Sequence, residues 1–250
     1  MTDTVLADLR GQLDELDGLV EPLDDARWDQ PSACPGWTIS DVVLHLAQTN
    51  EMAAASARGT LMEAARSWTR AEGETVDELA AAAVADERGA APAEVHARWR
   101  AGADDMIEAF SACRPEDRVL WAVGDMAARS LATTRVAETL IHTEDIAEGL
   151  GIDLAGTARL RQVVWLLHST LPYAFERAGE PAPGAIAFTL RSPTGDETWA
   201  FGEPTAPTTV TGPALDLCRV AGQRRAAAST GLVGRGPDAD GVLALMRTFA

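Results

Sequence analysis

The stretch that decides the fold is residues 31–47, which read PSACPGWTISDVVLHLA. Its first half, residues 31–37, is typical of a turn, because four of its seven residues are proline, glycine or serine. Thr38 then stands where a helix N-cap belongs, and Asp41 three residues later favours a helix N-terminus. We therefore predict a helix that begins near Ile39 and runs to about Arg58.

Three further long segments in the first 155 residues show apolar side chains at helical spacing. They predict helices at about 5–23, 92–113 and 130–149. The Ala- and Glu-rich segment 75–85 predicts a further segment that is helical or partly helical, with indistinct ends. Four long amphipathic helices in sequence are typical of a helical bundle. The expected first domain is thus a four-helix bundle over residues 1–155.

The pattern changes after residue 156, where a small α+β domain is expected over residues 156–250. The predicted elements are a helix at 158–178, strands at 186–190, 198–201 and 208–211, and helices at 213–228 and 239–249. The first two strands alternate apolar and polar residues around a turn, which is a hairpin signal. The glycines at 231–236 are interpreted as a loop.

Charge and composition exclude several classes of function. The 250-residue chain carries a formal charge of −17, with 30 acidic residues against 12 arginines in positions 1–155 and 8 against 9 afterwards. Such acidity repels phosphate backbones, so we expect no nucleic-acid partner and no membrane partner. The sequence shows no long apolar run and no secretion signal, and its three cysteines are widely spaced, which predicts a cytoplasmic protein. We expect a small-molecule substrate and a monomer or homodimer.

Three ionisable residues share one face of the fourth long helix, because Glu138, His142 and Asp145 follow one another at spacings of four and three. His45 holds a comparable place on the second long helix. If the two helices face each other, two imidazoles and a carboxylate converge and leave coordination positions open, as in catalytic metal sites. A glutamate and a histidine four apart are also an ordinary helix pair, so the spacing alone leaves both interpretations open.

The remaining histidines and Cys34 are expected to be less informative. His96 lies among charged residues and is interpreted as solvated, whereas His168 lies beside Trp165 and is interpreted as packed. Cys34 comes just before a helix N-terminus, but no histidine is near it in sequence, so we interpret it as an inert thiol.

Residues 34–47 and residues 135–147, which read RVAETLIHTEDIA, resemble the mycothiol-dependent maleylpyruvate isomerase family. That family belongs to the DinB-like metal-binding four-helix bundles. Residues 211–218 and 223–225 look like an actinobacterial branch of it, usually described as metal-binding, and the C-terminal part resembles a sterol-carrier-like domain.

The resemblance implies a divalent metal held by His45, Glu138 and His142. Zinc is the metal expected, with nickel or another ion as an alternative. It also implies mycothiol as a cofactor, and a thiol that adds to a conjugated double bond, or is transferred to an electrophile, in a small organic substrate. Two alternatives stay open: a thiol-independent metal-dependent cyclase, hydratase or isomerase, and a non-enzymatic metal- or ligand-binding protein.

Four further residues are candidates for supporting roles. Asp145 or Glu144 is expected to orient His142 or to move a proton. Arg224 or Arg225 is expected to neutralise a carboxylate of the substrate or cofactor.

Overall fold

The computed structural model describes residues 3–67, 75–122 and 124–248, and within these ranges the fold is rich in helix with two small sheets. The predicted mixture of helical bundle and small α+β unit is confirmed. The helices are α1 Asp3–Val20, α2 Asp25–Trp28, α3 Ile39–Ala57, α4 Leu61–Ser67, α5 Val76–Glu87, α6 Pro92–Ala112, α7 Ala128–Gly149, α8 Leu160–Arg177, α9 Ala214–Ala221 and α10 Ala239–Leu245. The strands are β1 Arg118–Trp121, β2 Gly124–Ala127, β3 Ile186–Arg191, β4 Thr198–Phe201, β5 Thr208–Pro213 and β6 Val233–Arg235.

Helix α3 begins where the sequence predicts, because Thr38 forms a complete capping box. The Thr38 hydroxyl accepts a hydrogen bond from the backbone N–H of Asp41 at 3.2 Å, and the Asp41 carboxylate accepts one from the backbone N–H of Thr38 at 2.9 Å. Two N–H groups that would lack helical partners are thereby satisfied. The bounds of the other long helices agree with prediction to within a few residues.

Contacts divide the chain into two compact units. The first comprises Met1–Arg135 with His142–Asp153, and the second comprises Val136–Ile141 with Leu154–Ala250. The division passes through α7, which is a single continuous helix, so residues along α7 are placed relative to one another by helix geometry. In the first unit α3 packs extensively on α6, where Leu46, Trp99, Met106 and Phe110 are almost fully buried.

The second unit contains a four-stranded sheet in the order β4-β3-β5-β6. The predicted hairpin is confirmed, since β3 pairs antiparallel with β4, placing Phe188 opposite Phe201. Strand β5 runs parallel to β3, and β6 runs antiparallel to β5. Within the ranges that the structure describes, every helix is too short or too polar to cross a membrane.

Several elements correct the sequence prediction. The predicted helix 213–228 ends at Ala221, because Gln223 adopts a left-handed φ of 62° and turns the chain out of the helix. Residues 233–235 form β6 rather than a loop, since β5 provides a partner strand. The short hairpin of β1 and β2 and the short helices α2 and α4 were not predicted. The predicted helix 239–249 ends at Leu245, because Met246 leaves the helical conformation with a ψ of 134°.

Candidate metal centre

His45 of α3 and the pair Glu138 and His142 of α7 form a compact group. Their potential ligand atoms all lie within 4.8 Å of one another. The three residues are buried, with exposed fractions of 7%, 8% and 5% respectively. A buried carboxylate is costly without a charged or hydrogen-bonding partner, and a cation is one partner that such a group can bind.

Helix α7 fixes two of these side chains because residues four apart lie on one face of a helix. His142 therefore stands one turn beyond Glu138, as the sequence predicts. The His45 and His142 rings approach edge to face, with centroids 5.1 Å apart. Trp37 also packs against His45, with centroids 5.1 Å apart, so aromatic packing limits the rotation of the His45 ring.

Asp145 sets the orientation of the His142 ring. The Nδ1–H of His142 donates to Oδ2 of Asp145 at 2.9 Å, and the Asp145 side chain is buried. Since Nδ1 carries the proton, Nε2 keeps its lone pair and is the ring nitrogen able to bind a metal. This carboxylate-to-histidine contact is the arrangement that commonly supports histidine ligands of metals.

Cys34 is the residue that sequence reasoning missed at this site. Its Sγ–H donates to Oδ2 of Asp145 at 3.0 Å, and Sγ lies 3.6 Å from Nδ1 of His142. No histidine lies near Cys34 in the sequence, but the structure places His142 beside it. Cys34 and His142 are 108 positions apart in the sequence, and no sequence pattern indicates that they lie close together in the fold.

Arg135 is a second residue that the sequence did not point out. It is almost fully buried, and its Nη2 donates to the hydroxyl of Thr49 at 2.8 Å. Arg135 precedes Glu138 by about one turn of α7, and Thr49 follows His45 by about one turn of α3. A buried positive charge therefore lies about one helical turn from Glu138, which is one of the potential ligands.

Glu144, Arg224 and Arg225 are the other predicted site residues. Glu144 is half-buried and belongs to no group of potential ligands among the described residues. Arg224 donates to the carbonyl of Gly222 at 2.6 Å, and Arg225 donates to the carbonyl of Arg224 at 2.9 Å. Their expected role in anion binding stays a prediction.

The two remaining histidines have structural partners. His96 was expected to be solvated, but its Nε2 lies 2.7 Å from Asp17 Oδ1 and its ring stacks on Trp99. His168 is packed as expected, with Nε2 3.0 Å from the carbonyl of Ile186.

The donor set fits a divalent metal. Two imidazole nitrogens and one carboxylate oxygen are the ligands of many catalytic zinc sites, in which water or substrate takes the fourth position. The three donors carry a single negative charge in total when the imidazoles are neutral, so an ion with two positive charges offsets the buried carboxylate. Other first-row divalent metals bind the same donors.

Comparison with known proteins identifies the family of the chain. The family model described as the mycothiol maleylpyruvate isomerase N-terminal domain matches residues 9–147. The chain belongs to this family. An uncharacterized protein of Mycobacterium tuberculosis, recorded in two strains, is 34% identical over 249 residues and is covered over 95% of its length.

Two crystal structures of the mycothiol-dependent maleylpyruvate isomerase, one of them a mutant, share the fold of this family member. Their TM-scores are 0.59 and 0.60 at 17% and 18% identity, and the match covers 94% of this chain and 95% of theirs. At this level of identity the likeness establishes the architecture, and the chemistry has to be argued from the residues of this chain.

Proposed function

We propose that this chain is a metal-dependent enzyme of the maleylpyruvate isomerase type that acts on a small electrophilic substrate. His45, Glu138 and His142 would hold a divalent ion, with zinc as the expected metal. The observation that carries the proposal is the buried convergence of two imidazoles and a carboxylate within 4.8 Å, with Asp145 fixing the His142 ring. The mycothiol-dependent reaction, either isomerisation or transfer of the thiol, is part of the proposal.

The bound metal would supply Lewis-acid chemistry, which lowers the pKa of a bound thiol or polarises a carbonyl oxygen. The residues of the chain have separate tasks. Asp145 holds His142 in the tautomer that exposes Nε2, and Trp37 limits the rotation of His45. Arg135 adds a buried positive charge one turn from Glu138, which favours binding of an anionic group.

Two further assignments remain proposals. We infer that residues 1–155 form the metal-binding domain and that residues 156–250 form the sterol-carrier-like domain. Glu144, Arg224 and Arg225 remain candidates for proton transfer and anion binding, and alanine variants of each would test them by their effect on turnover.

Metal content is the first test of the proposal. Elemental analysis of the purified protein should give about one equivalent of metal per chain, and His45→Ala and His142→Ala should both lose it. His96→Ala is the matched control, because His96 pairs with Asp17 and lies outside both groups of potential ligands in the described part of the chain. Equal metal content in all four proteins would refute the ligand assignment.

Turnover is the second test, and it separates the enzymatic alternatives. The protein loaded with zinc should isomerise maleylpyruvate, or consume another small electrophilic acid, only when mycothiol is added. Equal rates without thiol would identify a thiol-independent enzyme. A bound metal without turnover of any electrophile, with or without thiol, would favour a binding protein.

A further inference from the structure

A second group of potential ligands shares His142 with the first group. It consists of Cys34, His142 and Asp145, whose ligand atoms also lie within 4.8 Å of one another. We propose that these three residues form a second cation site, selective for soft divalent ions such as cadmium. It differs from the first group in using the Nδ1 face of His142 and in containing a sulfur ligand.

The distances agree with this assignment. Cys34 Sγ lies 3.6 Å from His142 Nδ1, and Asp145 Oδ2 lies 3.0 Å from the sulfur and 2.9 Å from the nitrogen. With zinc bonds of about 2.3 Å to sulfur and about 2.0–2.2 Å to nitrogen and oxygen, tetrahedral ligand atoms are separated by about 3.4–3.6 Å. The sulfur and nitrogen are already at that separation, and a carboxylate shift of about 0.5 Å completes the triangle.

The loop that carries Cys34 is fixed against the end of α7. The N–H of Ala33 donates to the carbonyl of Asp145 at 3.0 Å, so the loop backbone is tied to the ligand it faces. Gly149 permits this close approach, since a Cβ there would lie 2.5 Å from the carbonyl oxygen of Pro31. Ligands held by a rigid backbone bind an ion without a large ordering cost.

Access and charge also favour an ion at this position. Cys34 is half-buried, so an ion can reach the sulfur from solvent, whereas His142 and Asp145 are buried behind it. Binding releases the Cys34 Sγ proton to solvent, whereas the ring proton of His142 moves from Nδ1 to Nε2 through solvent, so that the imidazole stays neutral. The thiolate and carboxylate then balance the two positive charges of the ion.

The shared ring makes the two sites compete. When Nδ1 of a neutral imidazole gives its lone pair to the second ion, Nε2 must carry the ring proton. Nε2 then has no lone pair for an ion held with His45 and Glu138. Occupation of the thiolate site should therefore expel the ion from the first site, which makes soft cations inhibitors of the enzyme.

Cadmium titration tests the site directly. Addition of Cd²⁺ to the wild-type protein should produce the ultraviolet absorbance of a cadmium–thiolate bond and should protect Cys34 from alkylation, as measured by mass spectrometry. Cys34→Ser should lose the absorbance, and Asp145→Asn should weaken cadmium binding at least tenfold. If the absorbance persists in Cys34→Ser, or is absent from the wild type, the proposal is overturned.

Two controls separate this site from other thiols and from the first site. Cys113→Ser is the matched thiol control, because Cys113 is also half-buried and its Sγ faces the carbonyls of Ala57 and Ala109 at 3.5 Å. It should keep the full absorbance. His45→Ala should also keep it, so the thiolate site is measurable even where the first site fails to bind metal.

Competition provides the last readout. In protein loaded with one equivalent of zinc, cadmium bound at the thiolate site should release zinc. A colorimetric chelator detects the released zinc. At the same cadmium concentration, Cys34→Ser should release at least tenfold less zinc. Equal zinc release from both proteins would show that cadmium acts at the first site, and would overturn the competitive arrangement.

Discussion

Helices α6 and α7 have almost the same length, 21 and 22 residues, but they bury opposite kinds of side chain. The buried residues of α6 are apolar or small: Val95, Trp99, Gly102, Ala103, Met106, Ile107, Ala109 and Phe110. Besides its apolar residues, α7 buries the polar or charged set Thr133, Arg135, Glu138, Thr139, His142, Thr143 and Asp145. Both helices belong wholly or partly to the first unit.

This difference separates stability from function. Burial of apolar area on α6 stabilises the fold, because each large side chain removed from water contributes about 1.5–3 kcal/mol. Burial of ionisable groups on α7 costs free energy unless each group is paired or binds an ion. Substitutions of the buried ionisable groups of α7 are therefore expected to affect binding more than stability.

The largest effect on stability is expected for Trp99→Ala on α6. Trp99 is 1% exposed, and its removal leaves a cavity in the packing of α6 on α3. The expected loss is about 3–5 kcal/mol in the free energy of unfolding, measured by urea denaturation. The metal content per folded chain should not change, which would confirm that α6 is structural.

Trp99→Phe sharpens this test. Among the described residues the indole N–H of Trp99 has no hydrogen-bond partner, so phenylalanine keeps most of the apolar area and removes a buried unsatisfied donor. We expect a loss well below that of Trp99→Ala. An equal loss would show that the indole N–H matters and would contradict the description of α6 as purely apolar.

The next largest effect is expected for Glu138→Gln on α7, and it should fall on metal binding. The amide has the shape of the carboxylate but carries no charge, so metal affinity should fall more than 100-fold, or by about 2.7 kcal/mol. Without metal, the unfolding free energy should change by less than about 1 kcal/mol. Isothermal titration with zinc and urea denaturation in chelator measure the two quantities separately.

A result with the roles reversed would break the comparison. If Glu138→Gln strongly destabilised the metal-free protein and kept its zinc affinity, the buried carboxylate would be a structural ion pair. The buried polar side chains of α7 would then stabilise the fold, as the buried apolar side chains of α6 do.

The sequence predicts more of α6 and α3 than of the site on α7. Apolar periodicity and capping are local signals, so the long helices and the Thr38 cap could be located from short windows. Glu138 and His142 were found because helix spacing relates residues four apart. His45 was proposed from its comparable place on the second long helix, and the resemblance to the family implied the same three residues. The structure brings all three together.

Cys34 and Arg135 could not be found in that way. Cys34 meets Asp145 across 111 residues of chain, and Arg135 meets Thr49 across 86. Contacts of this kind follow from how helices and loops pack, which no local pattern encodes. The short hairpin of β1 and β2 was missed for a related reason, because each strand has only four residues and too little alternation to detect.

A smaller effect on metal binding is expected for Asp145→Asn. The amide can turn its N–H₂ group toward His142 and favour the tautomer with the proton on Nε2, which opposes metal binding. Zinc affinity should fall about 10–100-fold, less than for loss of a ligand. Asp104→Asn, an exposed carboxylate on α6, is the control and should leave zinc affinity unchanged; an equal loss in both variants would indicate a general charge effect.

The smallest effect is expected for the exposed face of α6, where Arg58 and Asp105 form a pair with two contacts of 2.7 Å. The Arg58 guanidinium holds the pKa of the Asp105 carboxyl below its usual value. Both side chains are nearly half exposed, so solvent screens the pair and Asp105→Asn should cost less than about 1 kcal/mol at pH 7.

The direction of its pH dependence follows from the pKa. Because the folded state has the lower pKa, the pair stabilises the protein above the pKa of the unfolded chain, and this stabilisation is lost as the pH falls through the folded value. Urea denaturation of wild type and Asp105→Asn should therefore differ at neutral pH and converge in acid. A difference in unfolding free energy that persists at low pH or at high salt would contradict this prediction. It would mean that the exposed charges of α6 stabilise the fold as strongly as buried charges do. Burial would then no longer explain the contrast between α6 and α7.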